Sequence, residues 1–587
     1  MMGRCANTST TDRQEALGPA RILLCLIAGL TPIAFAAPLP EPYIAPKEIL
    51  VQAGTAVLLI ACLFSMRPGS VTLTPVWIPA LALAGLGLAS AAWSSNPEVS
   101  LDSAFRMVSY PLLFGLALEL LRKQDARSAL ASVLVFAGVI EAVYVLAQYF
   151  AGDPLFATED LKGKWQTFGT LGNPNWTGEF LAVAALVGLG RMADLTERNP
   201  DERWRFVTRF VAFALILAAL AATIARGAWI AFVAGTAAFL FVRRREIAAS
   251  LRPRSLITIS VACISAVALV VIPLISRKET AGYLLNTASI RGRVWIWSVT
   301  GSMIYDAPLL GHGLGTFGLQ FPHYQADAYA ETWSVPFTNN ASFASLAHND
   351  YLQIWSELGL PGLAAVAGFV ILTLSRGRKL RGDPVSLGCW AALVSILVSA
   401  AFGFPTHLPT SLMLLAVLTA VVEASVNKRR IGLPKGLPMR SLVLIPVLIA
   451  GLISGGNAYS RLSTETALRR AESATRNSEL QAAESSIRDA IRHTPTSNRA
   501  YKLLGMLAQE RGNGQLSVAA YDRALVYGFD VDVFLMKASS LEKLGRRLEA
   551  AETLRELIRL RPDLASPRSK LALLEGGPEI SRGGKEE

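Results

Sequence analysis

Charge is what this chain has least of. Asp, Glu, Lys and Arg make up only 17% of its 587 residues, while 52% are hydrophobic. A soluble domain carries about 25% charged residues, so this balance excludes both a disordered chain and an ordinary soluble enzyme. Cysteine is also scarce: Cys5, Cys25, Cys62, Cys263 and Cys389 lie in the N-terminal tail or in apolar runs, so no structural disulfide is expected. The five histidines (His312, His323, His348, His407 and His493) include no pair at the spacing of a helical chelate, and no metal site is expected. Gly-rich phosphate loops, nucleotide fingerprints and hydrolase nucleophile elbows are missing from the short basic connections. The chain is therefore not expected to bind ATP, and an activated substrate must reach it from elsewhere.

What it does have is length of apolar sequence. The mean hydropathy is +0.40, and the apolar residues fall in runs of about 17–23, enough to cross a bilayer as helix. Spans are predicted at 20–37, 47–65, 75–93, 105–121, 128–150, 175–190, 207–223, 228–242, 256–275, 358–375, 385–404, 409–426 and 441–458. This is an all-α, polytopic membrane bundle of about 12–13 spans. The first run ends in Ala34-Phe35-Ala36, which resembles a signal-peptidase site, but with a dozen spans behind it an uncleaved anchor is expected.

The net charge of +12 reports insertion rather than a polyanion partner. Basic residues cluster in alternate connections: Arg122, Lys123 and Arg127; Arg191 to Arg209; Arg243 to Arg254; Arg376 to Arg381; Lys428 to Arg440. The intervening connections 94–104 and 151–172 carry few or none. This positive-inside pattern places the N-terminal tail, 1–19, in the cytoplasm and the C-terminal region outside. No nucleic-acid binding is expected.

Helices are assigned over 20–275 and 351–458, separated by a large external segment, 276–350, where long loops tend to carry function. Its aromatics (Trp295, Trp297, Tyr305, Phe317, Phe321, Tyr324, Tyr329 and Trp333) suit a segment lying at the membrane interface, most of them as a helix-anchoring belt. Over 461–575 the hydropathy falls, and Pro495, Phe529 and Pro562 mark a period of about 34 residues. Small and apolar residues recur in step, from Ala467, Ala471, Ala483, Ile487 and Ala490 to Phe534, Ala538, Ala550, Leu554 and Leu557. That is the spacing of tetratricopeptide-like repeats, an α-solenoid that presents a surface to a protein partner. The tail 576–587 is read as disordered.

Charges that break the topology rule are the informative ones. Arg226 lies in a very short external hairpin, 225–227, where a guanidinium needs a polar cavity or an anion. Arg291 and Arg293 share that side. Arginine keeps its charge and offers a rigid fork of donors, which suits phosphate oxygens; lipid headgroups or structural carboxylates are the alternative partners. His348, at the point where the large segment meets the membrane, is able to take a proton from a hydroxyl near neutral pH, although a lone histidine is more often structural. Glu141 and Glu179 are the exceptions in otherwise charge-free spans, which tells against a transporter with midplane charges.

An ordered set of short motifs resembles the O-antigen ligase and polymerase superfamily. It consists of Gly169-Thr170-Leu171-Gly172-Asn173-Pro174-Asn175, Ala225-Arg226-Gly227-Ala228-Trp229, Arg293-Val294-Trp295-Ile296-Trp297, and Pro308-Leu309-Leu310-Gly311-His312-Gly313-Leu314-Gly315. His348-Asn349-Asp350-Tyr351-Leu352 and Glu357-Leu358-Gly359-Leu360-Pro361-Gly362 complete it. The resemblance covers about 151–426, and C-terminal repeats also occur in such proteins. It implies a bacterial inner-membrane, inverting glycosyltransferase with periplasmic repeats that takes a glycan from an undecaprenyl-diphosphate carrier. The acceptor would be lipid A core, a growing polysaccharide or a protein. By position, His348 is implied as the base, and Arg226 with Arg293 as the diphosphate clamp. Arg291, Asn349 and Tyr351 are implied as further substrate contacts, with Arg291 and Arg293 interchangeable as the loop arginine. No cofactor or metal is implied, and a flippase or a non-catalytic scaffold are the rival classes.

Overall fold

The computed structural model describes residues 18–65, 70–155, 166–194, 200–250, 288–331, 344–427, 429–432 and 437–576. The predicted span 256–275 and the two tail assignments, save for Gly18, Pro19 and Gly576, lie outside these residues. Every other predicted span falls on helix. The first half comprises α1 (Gly18–Ile33), α2 (Ala45–Ser65), α3 (Trp77–Ser90), α4 (Pro97–Met107), α5 (Ser109–Leu120), α6 (Gln124–Ala151), α7 (Pro174–Ala193), α8 (Pro200–Ala222) and α9 (Arg226–Ser250). There follow α10 (Ala288–Asp306), α11 (Phe317–Glu331), α12 (Asp350–Arg376), α13 (Pro384–Ser399), α14 (Pro409–Val426) and α15 (Leu437–Arg476). A two-stranded antiparallel ribbon joins β1 (Ser70–Thr72) to β2 (Arg430–Gly432).

Six described helices are long and apolar enough to cross a membrane, and α1, α3 and α13 are shorter apolar helices. The predicted span at 105–121 is covered by the end of α4 and by α5, which meet at Val108 with helical backbone angles of −57° and −31°. Pro111 has no amide to offer the carbonyl of Met107, so the helical bonding is interrupted there. Helix α7 is buried from Phe180 to Val187 and packs against α6, α8, α9 and α13. Gly190 and Gly388 let α7 and α13 approach until a Cβ on either would meet the partner's backbone below 3 Å.

The connections segregate into two groups. The arginine-rich ones bond to one another: Arg127 to Asp383, Arg191 to the Ser128 carbonyl, Arg243 to that of Ala193, and Arg381 to that of Val242. The others meet among themselves. Lys47 of α2 donates to the carbonyls of Ala34 and Thr170, and Ser95 bonds to that of His312.

The segment read as a large loop is mostly helical where described, as α10 and α11. Its aromatics were expected to form chiefly a belt, but several of them make a core instead. Trp295, Phe317 and Phe321 are buried with Val299, Met303, Ala344 and Ala347 in a small core, whereas Tyr305 is 85% exposed.

The C-terminal region is an array of antiparallel helices: α16 (Leu480–His493), α17 (Asn498–Glu510), α18 (Gly514–Tyr527), α19 (Val531–Lys543), α20 (Arg547–Leu560) and α21 (Ala565–Glu575), each packed on the next. The in-step small residues are its core. Ala467, Ala483, Ala490, Ala524, Ala550 and Leu557 are fully buried, and Gly505 makes room for the buried Tyr521 ring. No break separates this array from the bundle. Helix α15 runs unbroken through residue 461, so the sequence boundary marks a change of composition within one helix. Arg461 itself bridges Glu41, Glu48 and Glu465.

The array also docks on the body. Ala326 of α11 packs with Phe534, Leu557 and Leu560, Asn96 donates to the Val526 carbonyl, and Arg499 donates to that of Pro40. Truncation after Arg461 is therefore expected to remove the lid over α11 and the 94–102 connection, yet leave the bundle recoverable in detergent. Truncation after Arg476, which retains the rest of α15, should melt higher. Equal melting temperatures would show that α15 beyond 461 contributes nothing to the body.

Candidate functional site

The site forms where the non-basic connections converge. The 169–175 motif is pinned from below. Glu141 accepts from the Thr170 amide (2.9 Å) and hydroxyl (2.5 Å), Gln148 accepts from the Gly169 amide, and Asn173 caps α7 through the Asn175 amide. Glu141, an anomaly in the sequence, is thus explained as the anchor of this loop. Glu179, the other anomaly, accepts from Ser399 and Ser411 and ties α7 to the flanks of the 400–408 connection.

The hairpin motif abuts the same helix. A Cβ on Gly178 of α7 would lie 2.8 Å from that of Ala225, and Gly227 lies against Phe402. Arg226, half-buried, opens α9. Two residues before it Ile224 holds φ at 52°, a conformation that β-branched side chains resist.

Two of the motifs prove to be one structural unit. Pro361 leaves the Glu357 carbonyl without a helical donor, and Gly359 turns the chain at φ 65°. The exposed carbonyls of Ser356 and Glu357 accept instead from His312 and Gly313, and the freed Leu360 amide donates to Pro308. The fit is close enough to require glycine on both sides: a Cβ on Gly359 would stand 2.1 Å from the Leu309 oxygen, and one on Gly311 would stand 2.4 Å from Glu357 backbone. The Glu357 carboxylate accepts from the Gly315 and Phe317 amides at the start of α11. His312 bonds through Nε2 to the Met303 carbonyl, a structural use of that ring.

His348 sits just before α12 with φ at 52°, half-buried, its ring edge-on to Phe404 at 5.0 Å. Phe404 in turn meets Trp176 of α7 at 6.0 Å. Burial and the Arg293 guanidinium push the His348 pKa from 6.5 down to about 4, so the ring is neutral at physiological pH. Arg293 is half-buried on α10, whereas Arg291 is exposed. The structure thus brings His348 and Arg293 together, with the Arg226 hairpin along the same 400–404 border. Asn349 spends its oxygen capping α12 through the Tyr351 and Leu352 amides, and the Tyr351 hydroxyl donates to the Leu397 carbonyl.

Sequence reading missed the 400–407 connection. His407 and Phe404 border the site, and the histidine flanked by Pro405 and Pro409 between two apolar spans was the signal available for it. His407 bonds to Asp350 through Nδ1 and to Gln353 through Nε2, at 3.2 and 2.9 Å. Among the described residues no group of three His, Cys, Asp or Glu is placed to hold a metal ion.

These features describe a multi-pass helical membrane protein in which a neutral imidazole lies within the field of Arg293. Residues 211–367 match the O-antigen ligase family. The matched stretch contains Arg226, Arg293, His348 and the Gly311–Gly359 contact, and it supports a membrane glycosyltransferase of the ligase and polymerase type. It does not include 169–175, His407 or the C-terminal array. No protein of curated function matches the chain.

Proposed function

We propose that the chain transfers a glycan from an undecaprenyl-diphosphate carrier to an acceptor hydroxyl on the periplasmic face. The observation that carries this reading is the neutral His348 held beside Arg293 within the family-matched stretch. The acceptor hydroxyl gives its proton to a ring nitrogen of His348 as its oxygen attacks the anomeric carbon. The C1–O bond to the diphosphate breaks on the opposite face, and the anomeric configuration inverts. Negative charge grows on the departing undecaprenyl diphosphate, where Arg293 and Arg226 stabilise it most at the transition state. Metal and nucleotide are unnecessary, because the donor is already activated.

The acceptor is a second surface substrate: lipid A core for a ligase, a growing chain for a polymerase, or a protein for an oligosaccharyltransferase. The C-terminal array is read as tetratricopeptide-like and periplasmic, recruiting a partner or acceptor. The clustering of basic connections at one end supports that orientation. A reporter enzyme active only in the periplasm should work at the C-terminus and be silent after Arg245.

Vesicles given a purified polyprenyl-diphosphate glycan and candidate acceptors should release free carrier and form one of the three products, with or without chelator. Carrier that stays glycosylated with every acceptor would overturn the proposal. Activity lost on chelation would replace the metal-free mechanism.

A further inference from the structure

His407 is placed to matter to this chemistry without touching the substrate. Both of its ring nitrogens are engaged. Nδ1 faces the Asp350 carboxylate at 3.2 Å and the Thr406 hydroxyl at 3.3 Å, and Nε2 faces the Gln353 amide at 2.9 Å. The direction of each bond follows from Gln353. Its oxygen accepts from the Ala347 amide at 2.9 Å, so its nitrogen donates, both to Glu357 and to His407. The His407 Nε2 is therefore an acceptor, and its proton sits on Nδ1, donated to Asp350.

This chain of bonds ends on both sides of His348. On one side, Ala347 is held through its amide by Gln353 and through its carbonyl by Trp297 at 3.1 Å. On the other, Asp350 donates its amide to the Ala400 carbonyl and accepts from the Thr406 amide, both at 2.9 Å. Between these anchors His348 holds a positive φ, a state that persists only where the surroundings over-determine it. Those surroundings include the 405–407 turn, whose histidine links the two anchors through one ring.

We propose that His407 is a positioning residue: through Asp350 and Gln353 it fixes the backbone from which His348 reaches the acceptor hydroxyl. The inference rests on the proposed transfer reaction and on His348 as its base. It assigns a role to a connection that lies beyond the family-matched stretch. A misplacement of a reacting group by about 1 Å lowers turnover roughly 10²-fold while leaving remote binding intact. That sets the size of the effect.

The test compares His407→Phe, which keeps ring shape but no hydrogen bonds, with His407→Asn, whose amide restores a donor to Asp350. Each full-length protein is assayed in vesicles with a polyprenyl-diphosphate glycan, alongside wild type and His348→Ala. His407→Phe should lose about 10²-fold in kcat with the donor KM within about twofold, and His407→Asn should regain about tenfold of that loss. Melting temperatures in detergent serve as the control for folding. Wild-type kcat in His407→Phe overturns the inference, as does a loss carried mainly by KM. So does a His407→Asn protein that melts like wild type yet turns over no faster than His407→Phe. Should His407→Phe not survive extraction, Gln353→Leu, which cuts the same chain at its other end, must show the same kcat-only loss or the inference falls. Activity in His348→Ala would instead remove the base assignment beneath it, so the two failures are told apart.

Discussion

If His348 is the base of the proposed transfer, His348→Ala is expected to lower glycan transfer by about 10²–10⁴-fold, while binding of the lipid-linked donor stays within about twofold of wild type. The separation of the two effects follows from where the ring lies. His348 is packed against Phe404 and is kept neutral by burial and by Arg293, so it has no charge with which to hold a diphosphate. Its value to the reaction is as an acceptor of the hydroxyl proton, a demand that arises only as the acceptor oxygen begins to bond to the anomeric carbon. Alanine adopts φ 52° less readily than histidine and gives up the ring contact with Phe404, so some loss of stability is expected. A melting temperature in detergent accompanies the assay, so that lost chemistry is told apart from lost folding. The measurement is single-turnover transfer in vesicles paired with donor binding. Near-normal turnover removes His348 as the base, and a parallel loss of binding would make it a donor ligand instead.

What the residues disclosed and what they withheld divide along physical lines. Apolar runs of spanning length were legible because hydropathy is additive along the chain, and all those within the described residues lie on helix. Breaks were not legible in a hydropathy average. Pro111 interrupts one run through a single missing amide, and Pro361 with Gly359 opens α12 because two carbonyls find partners in a distant turn. The small residues of the C-terminal region were readable as helix contacts, since each answers to the helix next to it, and Gly505 beneath Tyr521 is of that kind. Helix α11 was missed because polar and aromatic residues there make a local core instead of an apolar stripe. At the site, Arg226, Arg293 and His348 stood out as motif residues, as did Glu357 in its motif and Glu141 as an anomaly, but what the supporting groups hold did not. Glu141, Gln353, Glu357 and His407 act through neighbours remote in sequence, and composition alone marks a buried carboxylate as an anomaly without naming its partner.

On the proposed mechanism, replacing Arg293 is expected to change both donor binding and the pH dependence of the base, and the two changes have one electrostatic cause. A guanidinium near the imidazole disfavours its protonated form, which adds to burial in holding the His348 pKa at about 4 in the free protein. The acid limb of kcat/KM, which reports the free enzyme, should fall near that value. A bound diphosphate brings negative charge to Arg293 and offsets its field, so the pKa of His348 rises in the complex and the acid limb of kcat lies at higher pH. The base is thereby strengthened when the donor arrives. In Arg293→Gln the positive field is gone, so the limb of kcat/KM moves up toward the ordinary histidine value of 6.5, stopping short because burial remains. Burial and Arg293 are the two causes of the lowered His348 pKa, so the upward movement of the limb reports loss of that guanidinium. Donor affinity should fall about 10- to 100-fold, the worth of one charge-assisted bond to phosphate, and Arg226→Ala should weaken it similarly. Lysine at either position restores charge but not the fork, so it should recover the pH limb at 293 better than it recovers binding. The measurements are pH profiles of kcat and kcat/KM from about pH 4 to 8 for wild type, Arg293→Gln and Arg293→Lys. Coincident wild-type limbs, or an Arg293→Gln limb that does not move upward, would separate Arg293 from the base and leave Arg291 or Arg226 to hold the leaving group.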